Sequence, residues 1–317
     1  MARRFAMKIL RSSVREYLAM RRDLGFKLKT DERLLMTFVA FMERRRSAHI
    51  TVKLAVAWAQ GTGSKDPNYH AGRLRAVRSF ARYYIAIDSK TVIPMPDLLP
   101  RQRRNFRPHI YTEDEIRRLL VASLKRRRGA TNLSRWSRFT LFGLLSVTGM
   151  RVGEALNLDL KDVDLDQGVL TIRYAKFGKS RFIPLHSSTR AALANYLKQR
   201  NEFLGSRIVA PFFISPLAKR IRHGVLNDSF LRLSRKLGLR GPSDRHGPRL
   251  HDFRHRMAVE VLHRCYRSGA DPERRLPALS TYLGHTSLNH TYVYLHQHPT
   301  LMKQAMSRLE HHWDSPR

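Results

Sequence analysis

A stretch rich in proline divides this sequence and limits the folds that it can adopt. Residues 91–111 contain four prolines and a cluster of arginines. Proline lacks a backbone N–H and blocks helix continuation, so this stretch predicts an extended basic linker over residues 93–111. Apolar residues recur at helical spacing on both sides of it. We therefore expect two domains, residues 1–92 and 112–317, each with its own core.

Both predicted domains are strongly basic. The 317 residues include 60 Lys and Arg against 25 Asp and Glu, a formal net charge of +35. Residues 1–105 carry 23 basic and 8 acidic side chains, and the remainder carries 37 and 17. Such a charge is self-repelling unless a polyanion offsets it, which indicates double-stranded DNA as the partner. With 42% hydrophobic residues, the chain is not a disordered basic tail.

The first domain has the pattern of four short helices that clamp DNA. Ser12 or Ser13 is expected to cap the first helix, and Thr30 and Thr51 open the next two. The fourth helix is predicted from about residue 69 to residue 86. Its candidate DNA-binding residues are Arg73, Arg75, Arg78 and Arg82. The linker adds the candidates Arg101, Arg103 and Arg104.

The second domain is predicted to be mainly α with a small β-sheet. Thr112 and Glu115 form a capping box that opens it. Residues 169–174 and 181–185 alternate with period two and predict two strands, with residues 212–214 as a third. The predicted helices cover about 113–127, 134–147, 151–157, 188–203, 227–238, 251–268, 272–283 and 299–313.

Three patterns that suggest a cofactor do not meet its requirements. Residues 178–180 end like a phosphate-binding loop, but Arg173 stands where that loop needs a glycine. The same Arg173 replaces the glutamate that a calcium loop over residues 162–173 would need. Residues 251–255 have zinc-protease spacing, but Arg254 would place a cation beside the metal. We therefore expect no metal and no cofactor.

Cysteine content and hydropathy limit the compartment. Cys265 is the only cysteine, which excludes an internal disulfide and a four-cysteine metal site. No apolar run of signal-peptide length follows the basic N-terminus, and no stretch approaches about 18 uncharged residues. The sequence predicts a cytoplasmic, nucleoid-associated protein without a membrane partner.

Four short motifs in the second domain collect cations, imidazoles and one phenol. Residues 148–154 combine a glycine turn with an arginine and a glutamate, and residues 251–254 have the pattern His-x-x-Arg. Residues 283–285 are Leu-Gly-His, with Tyr294 nine residues later, and residues 175–185 form a lysine-bearing hairpin. Together and in this order they resemble the boxes of the tyrosine recombinases, the family of phage integrases and Xer-type recombinases.

The resemblance implies six catalytic residues. They are Arg151, Lys176, His251, Arg254, His285 and Tyr294. Glu154 is expected to orient the first arginine, and Arg181 to contact DNA. Lys179, also a candidate DNA contact, is the alternative catalytic lysine, although alignment on residues 181–185 favours Lys176. Tyr292 is the alternative tyrosine, and the spacing from the Leu-Gly-His motif favours Tyr294.

The resemblance also implies an architecture and an activity. The first domain would be a SAM-like four-helix core-binding domain, and the second a mixed α/β catalytic domain. Its last helix, 299–313, would dock on a neighbouring subunit or, alternatively, on its own domain. The protein would cut and rejoin a specific DNA site through a covalent 3′-phosphotyrosine, without metal or ATP. It would bind double-stranded DNA as a dimer on one site and as a tetramer at synapsis, and sister recombinases are candidate partners. The role would be integration, excision or transposition of a mobile element, or resolution of replicon dimers, with a mobile element favoured.

Two other functions are compatible with the same residue types. A type IB topoisomerase shares the active-site chemistry and would relax DNA without a specific site. A DNA-binding architectural protein would have the fold and no activity. The helical first domain and the spacing of the motifs favour a recombinase over the topoisomerase, and the six filled catalytic positions argue against a silent protein.

Overall fold

The chain folds into two compact units, Met1–Phe106 and Arg107–Arg317. The computed structural model describes the backbone of residues 2–102, 108–125, 129, 131–173, 180–244, 246–268, 270–285, 287–297 and 299–314. Helices dominate both units, and each has its own apolar core. Within the described ranges, none of the helices is both long enough and apolar enough to traverse a lipid bilayer.

Four helices build the first unit. They are α1 (Ala2–Asp23), α2 (Lys29–Arg44), α3 (Val52–Gln60) and α4 (Pro67–Tyr84). Thr51 caps α3 as predicted, because its side chain accepts a hydrogen bond from the Leu54 amide. Asp66 caps α4 in the same way, ahead of Pro67 at the first helical position. The apolar faces of the four helices meet in one core, to which Leu99 from beyond α4 also contributes.

Two predicted helix starts in this unit are wrong. α1 begins at Ala2 and runs through Ser12 and Ser13, neither of which caps it. The Ser12 hydroxyl donates to the Ile9 carbonyl one turn back, so this serine is satisfied inside a helix. α2 begins one residue before Thr30, after a left-handed residue at position 28 (φ 41°).

The second unit begins with three helices that lead into a small sheet. The helices are α5 (Glu113–Leu124), α6 (Asn132–Thr148) and α7 (Val152–Leu156). The predicted capping box of α5 is confirmed, because the Thr112 side chain accepts from the Glu115 amide and the Glu115 carboxylate accepts from the Thr112 amide. The sheet is antiparallel with strand order β1 (Val163–Asp164), β2 (Val169–Ile172) and β3 (Arg181–Pro184).

The third strand is not the predicted one. It is β1, a two-residue strand before β2, whereas residues 212–214 form no strand. Phe212, Phe213 and Ile214 are fully buried in the core instead. Isolated bridges, from Pro211 to Asp159 and from Ile214 to Arg220, hold this segment in place. Its apolar side chains therefore fill the space between helices instead of covering a sheet face.

Six helices complete the second unit. They are α8 (Ser187–Leu204), α9 (His223–Lys236), α10 (Asp252–Arg267), α11 (Pro272–Leu283), α12 (Asn289–Gln297) and α13 (Pro299–Asp314). α12, which carries Tyr294, was not predicted from the sequence. α13 covers the predicted last helix and packs against α10 and α12, with Leu301 fully buried beside Ala258 and Leu262.

Candidate active site

The first arginine of the site stands at a turn between two helices. α6 ends at Gly149, whose φ of +60° is left-handed. A Cβ at this glycine would come within 3.2 Å of the Met257 side chain, so the position is tight as well as strained. The turn makes Arg151 the residue before α7, and its backbone N–H donates to Glu154 Oε2 at 2.9 Å. The Arg151 side chain is thereby directed by Glu154, to which Nη1 donates at 2.8 Å.

The two arginines of the site are anchored on backbone carbonyls of distant motifs. Arg151 Nη2 donates to the Gly284 carbonyl at 2.9 Å. Arg254, in the first turn of α10 and 2% exposed, donates from Nη1 to the Gly149 carbonyl at 3.0 Å and from Nη2 to the Leu283 carbonyl. The motifs around residues 149, 254 and 284, far apart in sequence, therefore meet through these guanidinium groups.

Glu154 is shared by two arginines. Besides Arg151, it pairs with Arg181 of β3, which donates from Nη1 to Oε1 at 3.1 Å and from Nη2 to Oε2 at 2.7 Å. Arg181 Nε also donates to the Tyr282 carbonyl at 2.8 Å, and its side chain is 11% exposed. Burial alone would raise the pKa of Glu154, but the hydrogen bonds and charge of Arg181, followed by those of Arg151, hold this pKa below its usual value. Arg181 is thus engaged inside the site.

Tyr294 lies on α12 with its ring buried at 4% exposure. Its phenol interacts electrostatically with the guanidinium of Arg254. Burial raises the pKa of the Tyr294 phenol, and the positive charges of Arg254 and Arg151 oppose this rise only in part. Burial also lowers the pKa of Arg254, to about 10, so at neutral pH a protonated phenol faces a charged guanidinium. Tyr292, the alternative tyrosine, is 38% exposed.

Two histidine rings lie next to the phenol, and a third histidine lies next to one of them. His285 follows α11, and its Nδ1 lies 2.8 Å from Thr291 Oγ1. Its ring is 6.1 Å from that of Tyr294, at an interplanar angle of 27°. His255 lies 5.3 Å from the Tyr294 ring in a perpendicular arrangement and 5.1 Å from the ring of His251. His255 was not among the predicted site residues. It follows His251 by one helical turn, which puts both side chains on one face of α10.

Desolvation and nearby cations hold all three imidazoles neutral. Burial, followed by the charge of His255 and then of Arg254, lowers the pKa of His251 to about 4. His251 nevertheless keeps solvent access. Burial, with the cations Arg249 and Arg254, lowers the pKa of His255 to about 4. Burial and then Arg254 lower that of His285 to about 3. At neutral pH each ring can therefore accept a proton.

These depressed pKa values predict a loss of stability in mild acid. Each histidine titrates near 6.5 when unfolded and lower when folded, so the folded state binds fewer protons below pH 6.5. The stabilisation is complete above pH 6.5 and is lost as the pH falls towards about 4. Unfolding in urea, followed by Trp136 fluorescence in a Trp58→Phe, Trp313→Phe variant, should show a falling free energy of unfolding between pH 6.5 and 4.5.

A second variant identifies the source of that loss. His255→Phe in the same background should have a shallower pH dependence over this range, because one depressed histidine is removed. Glu154, whose pKa is held below its usual value, is present in both proteins and contributes equally to their pH dependence. A free energy of unfolding that stays constant from pH 7 to pH 4.5 in the parent would contradict the assignment.

Several predicted residues stand outside this cluster. Lys176, Lys179, Arg103 and Arg104 lie outside the described residues. On α4, Arg73 is buried at 8% exposure, with its guanidinium 3.8 Å from the Trp58 ring centroid and Nη2 donating to the Trp58 carbonyl at 2.8 Å. That side chain is occupied within the first unit. The predicted DNA-binding residues that keep solvent access are Arg75, Arg78, Arg82 and Arg101.

The site consists of cations, imidazoles and a phenol. Within the described ranges, no group of three or more His, Cys, Asp or Glu side chains is placed to hold a metal ion. Glu154, the carboxylate of the cluster, is committed to Arg151 and Arg181. The arrangement suits an anion with tetrahedral oxygens, because guanidinium groups bind such oxygens in pairs.

Comparison with known proteins identifies a family and several relatives. Residues 110–300 match the model of the phage integrase family. A protein of Sinorhizobium fredii named as an integrase/recombinase, y4rB, is 49% identical over 311 residues, which cover 97% of this chain and 99% of that protein. Tyrosine recombinase XerA of Pyrococcus furiosus is 26% identical, with 95% of each chain covered.

Solved structures have the same fold. The Tn1549 transposon integrase in complex with transposon right end DNA has a TM-score of 0.63, is 16% identical and covers 94% of this chain and 98% of that one. A lambda integrase dimer bound to a COC′ core site has a TM-score of 0.56, is 22% identical and covers 90% and 76%. The family match spans most of the second unit, and the first relative spans nearly the whole chain. This chain therefore belongs to the phage integrase family and is a tyrosine site-specific recombinase.

Proposed function

We propose that Tyr294 attacks a DNA phosphodiester and forms a covalent 3′-phosphotyrosine, after which a 5′-hydroxyl of another strand reverses the reaction. The observation that carries this proposal is the meeting of Tyr294 with Arg254 and Arg151 at one point. The attack forms the phosphorus–tyrosine bond and breaks the bond to the 5′-oxygen. The phosphotyrosine retains the energy of the broken bond, so rejoining needs no ATP.

Each remaining residue has a chemical task in this proposal. Arg151 and Arg254 would bind the nonbridging oxygens, where negative charge develops in the transition state. His285 would donate a hydrogen bond to one of these oxygens from Nε2, since its Nδ1 faces Thr291. His251, neutral at pH 7, would accept the phenolic proton. Lys176 would protonate the leaving 5′-oxygen.

Arg181 takes a different role from the DNA contact first expected of it. Its guanidinium spends both Nη atoms on Glu154 and its Nε on the Tyr282 carbonyl. A Cβ at Gly284 would come within 2.9 Å of Arg181 Nη1, so this glycine lets the arginine lie flat against the turn before His285. We assign Arg181 to holding Glu154, and through it Arg151, in place.

The partners and the biological role follow from charge and from the relatives. A net charge of +35 suits a protein that grips DNA in the cytoplasm, at the nucleoid. Solved relatives bind transposon end DNA and, as a dimer, a core site. We propose that this protein binds double-stranded DNA as a dimer on each site and as a tetramer at synapsis, alone or with sister recombinases. Integration, excision or transposition of a mobile element is the role that these relatives favour.

A covalent capture experiment tests this function. The target site is selected from a DNA pool by binding, and a version with a nick beside the cleavage position is offered to the purified protein. We expect a complex that survives denaturation and forms equally well with EDTA present. Efficient relaxation of a plasmid that lacks the site would indicate a topoisomerase. Binding without capture would indicate an architectural protein.

The exposed arginines of α4 predict a salt-dependent contribution to DNA affinity. The double variant Arg75→Gln, Arg82→Gln removes two exposed cations, so the slope of log affinity against log salt should fall by about two. The measurement is fluorescence anisotropy of a labelled site between 50 and 300 mM salt, that is, over roughly a sixfold range.

The buried arginine on the same helix provides the control. Arg73→Gln should leave that slope unchanged and lower the thermal stability of the first unit, because Arg73 stacks on Trp58. Equal slopes for the double variant and the parent would remove α4 from the DNA interface.

A further inference from the structure

The His255 ring packs against the Tyr294 ring in a T-shaped arrangement, at a centroid distance of 5.3 Å and an interplanar angle of 72°. It lies on α10, one turn after His251 and directly after Arg254, both of which are residues of the site. The proposed function gives it no task. Because His255 lies beside the nucleophile, a hydrogen bond from its ring could set the position of the Tyr294 phenol.

The His255 ring carries a buried polar atom that has no hydrogen-bond partner. Its Nδ1 is shielded from solvent, and no described residue donates to it or accepts from it. Buried polar atoms are nearly always paired, because leaving one unpaired costs stability. An unpaired nitrogen kept next to a reacting group is therefore a candidate for a partner that arrives during the reaction.

Tyr294 supplies such a partner when DNA binds. In this structure the positive charge of Arg254 acts on the Tyr294 phenol, while the same guanidinium is needed for the scissile phosphate. A phosphate monoanion competes for that guanidinium far better than a neutral phenol does. Once the phosphate is bound, the hydroxyl has to find a new partner within the reach of the α12 side chain.

We infer that His255 is a positioning residue, whose Nδ1 accepts a hydrogen bond from the Tyr294 hydroxyl once the phosphate has bound the Arg254 guanidinium. This inference rests on the proposed function. Burial, followed by the cations Arg249 and Arg254, lowers the pKa of His255 and keeps the ring neutral, so one ring nitrogen is free to accept. This hydrogen bond holds the phenol in place until the attack, when the hydroxyl turns from Nδ1 to the adjacent His251 ring, which accepts its proton.

Two substitutions separate this role from simple packing. His255→Phe keeps an aromatic ring beside Tyr294 but removes the acceptor, and we expect capture under single-turnover conditions to slow by about 10²-fold, the typical cost of a misplaced reacting group. His255→Asn restores an acceptor near the Nδ1 position and should recover most of that rate. DNA affinity should be unchanged in both. His223→Phe, an exposed position at the start of α9, is the matched control.

A third variant keeps the test decisive if the phenylalanine variant is poorly folded. His255→Gln places its amide near the Nε2 position, so it should capture DNA more slowly than His255→Asn at equal thermal stability. Wild-type capture by His255→Phe, or equal rates for the Asn and Gln variants, would overturn the inference.

A double-variant comparison identifies the partner of Nδ1. In a Tyr294→Phe background the hydroxyl is absent, so adding His255→Phe should not change DNA affinity. A further loss of affinity would show that Nδ1 contacts the phosphate and would overturn the inference. DNA capture by Tyr294→Phe itself would instead refute the proposed nucleophile. An inert Tyr294→Phe with a fully active His255→Phe would refute the role of His255 alone.

Discussion

Replacing Tyr294 with phenylalanine is expected to abolish covalent capture of DNA and to leave DNA affinity unchanged. Phenylalanine keeps the buried ring, which packs in a cluster with Ala258, Leu262 and Leu301, and removes the oxygen that would bond to phosphorus. We expect capture to fall by at least about 10³-fold, as it does when a nucleophile is deleted from an enzyme. The measurement is denaturing electrophoresis of protein bound to the nicked substrate.

The neighbouring tyrosine provides a matched control. Tyr292→Phe changes the same atom two residues earlier on α12, at a position 38% exposed. It should capture DNA at the wild-type rate. If Tyr294→Phe still captures DNA and Tyr292→Phe does not, Tyr292 is the nucleophile. The geometry around Tyr294 would then not explain the reaction.

Changing Arg254 to lysine is expected to have the second largest effect. Lysine keeps a positive charge but lacks the planar fork that reaches the Gly149 and Leu283 carbonyls and the phosphate together. Removing one oxyanion donor typically costs about 10²–10³-fold in rate, and we expect capture to fall by this amount. The thermal unfolding midpoint should also fall, because two carbonyls lose a donor.

Arg256→Lys separates the chemistry from the packing of α10. Arg256 lies two residues further along the same helix and donates from Nε to the Tyr111 carbonyl at 3.1 Å, outside the site. This variant should lower the thermal midpoint and leave the rate of capture close to that of the parent. Equal losses of capture in the two lysine variants would show that Arg254 acts only through the fold.

The sequence predicted the motifs of the site better than the surroundings of each side chain. The turn at Gly149 and the pairing of Glu154 with Arg151 follow from local rules, since they involve residues a few positions apart. The partner of Arg181 is 27 positions away, and no local pattern indicates it. An exposed basic residue on a strand was the natural expectation for Arg181, and burial against Glu154 is what the fold produced.

α12 shows why the position of the nucleophile could not be derived from periodicity. Its nine residues contain Thr, Val and two Tyr, types that favour strands, and no clear apolar stripe of helical spacing. Packing against α11 and α13 makes the segment helical. The buried contact of Tyr294 with Arg254 therefore depends on tertiary structure. The same holds for Arg73, whose stacking on Trp58 requires α3 and α4 to be packed together.

The anchoring of both guanidinium groups on peptide oxygens bears on how such a protein can diverge. Every residue type supplies a carbonyl, so the acceptors at Gly149, Leu283 and Gly284 survive any substitution that preserves the course of the main chain. Selection on these turns then acts mainly on the two left-handed glycines. Related proteins can therefore substitute most neighbouring side chains, and so change the DNA sequence that the protein recognises, while keeping the same reactive centre.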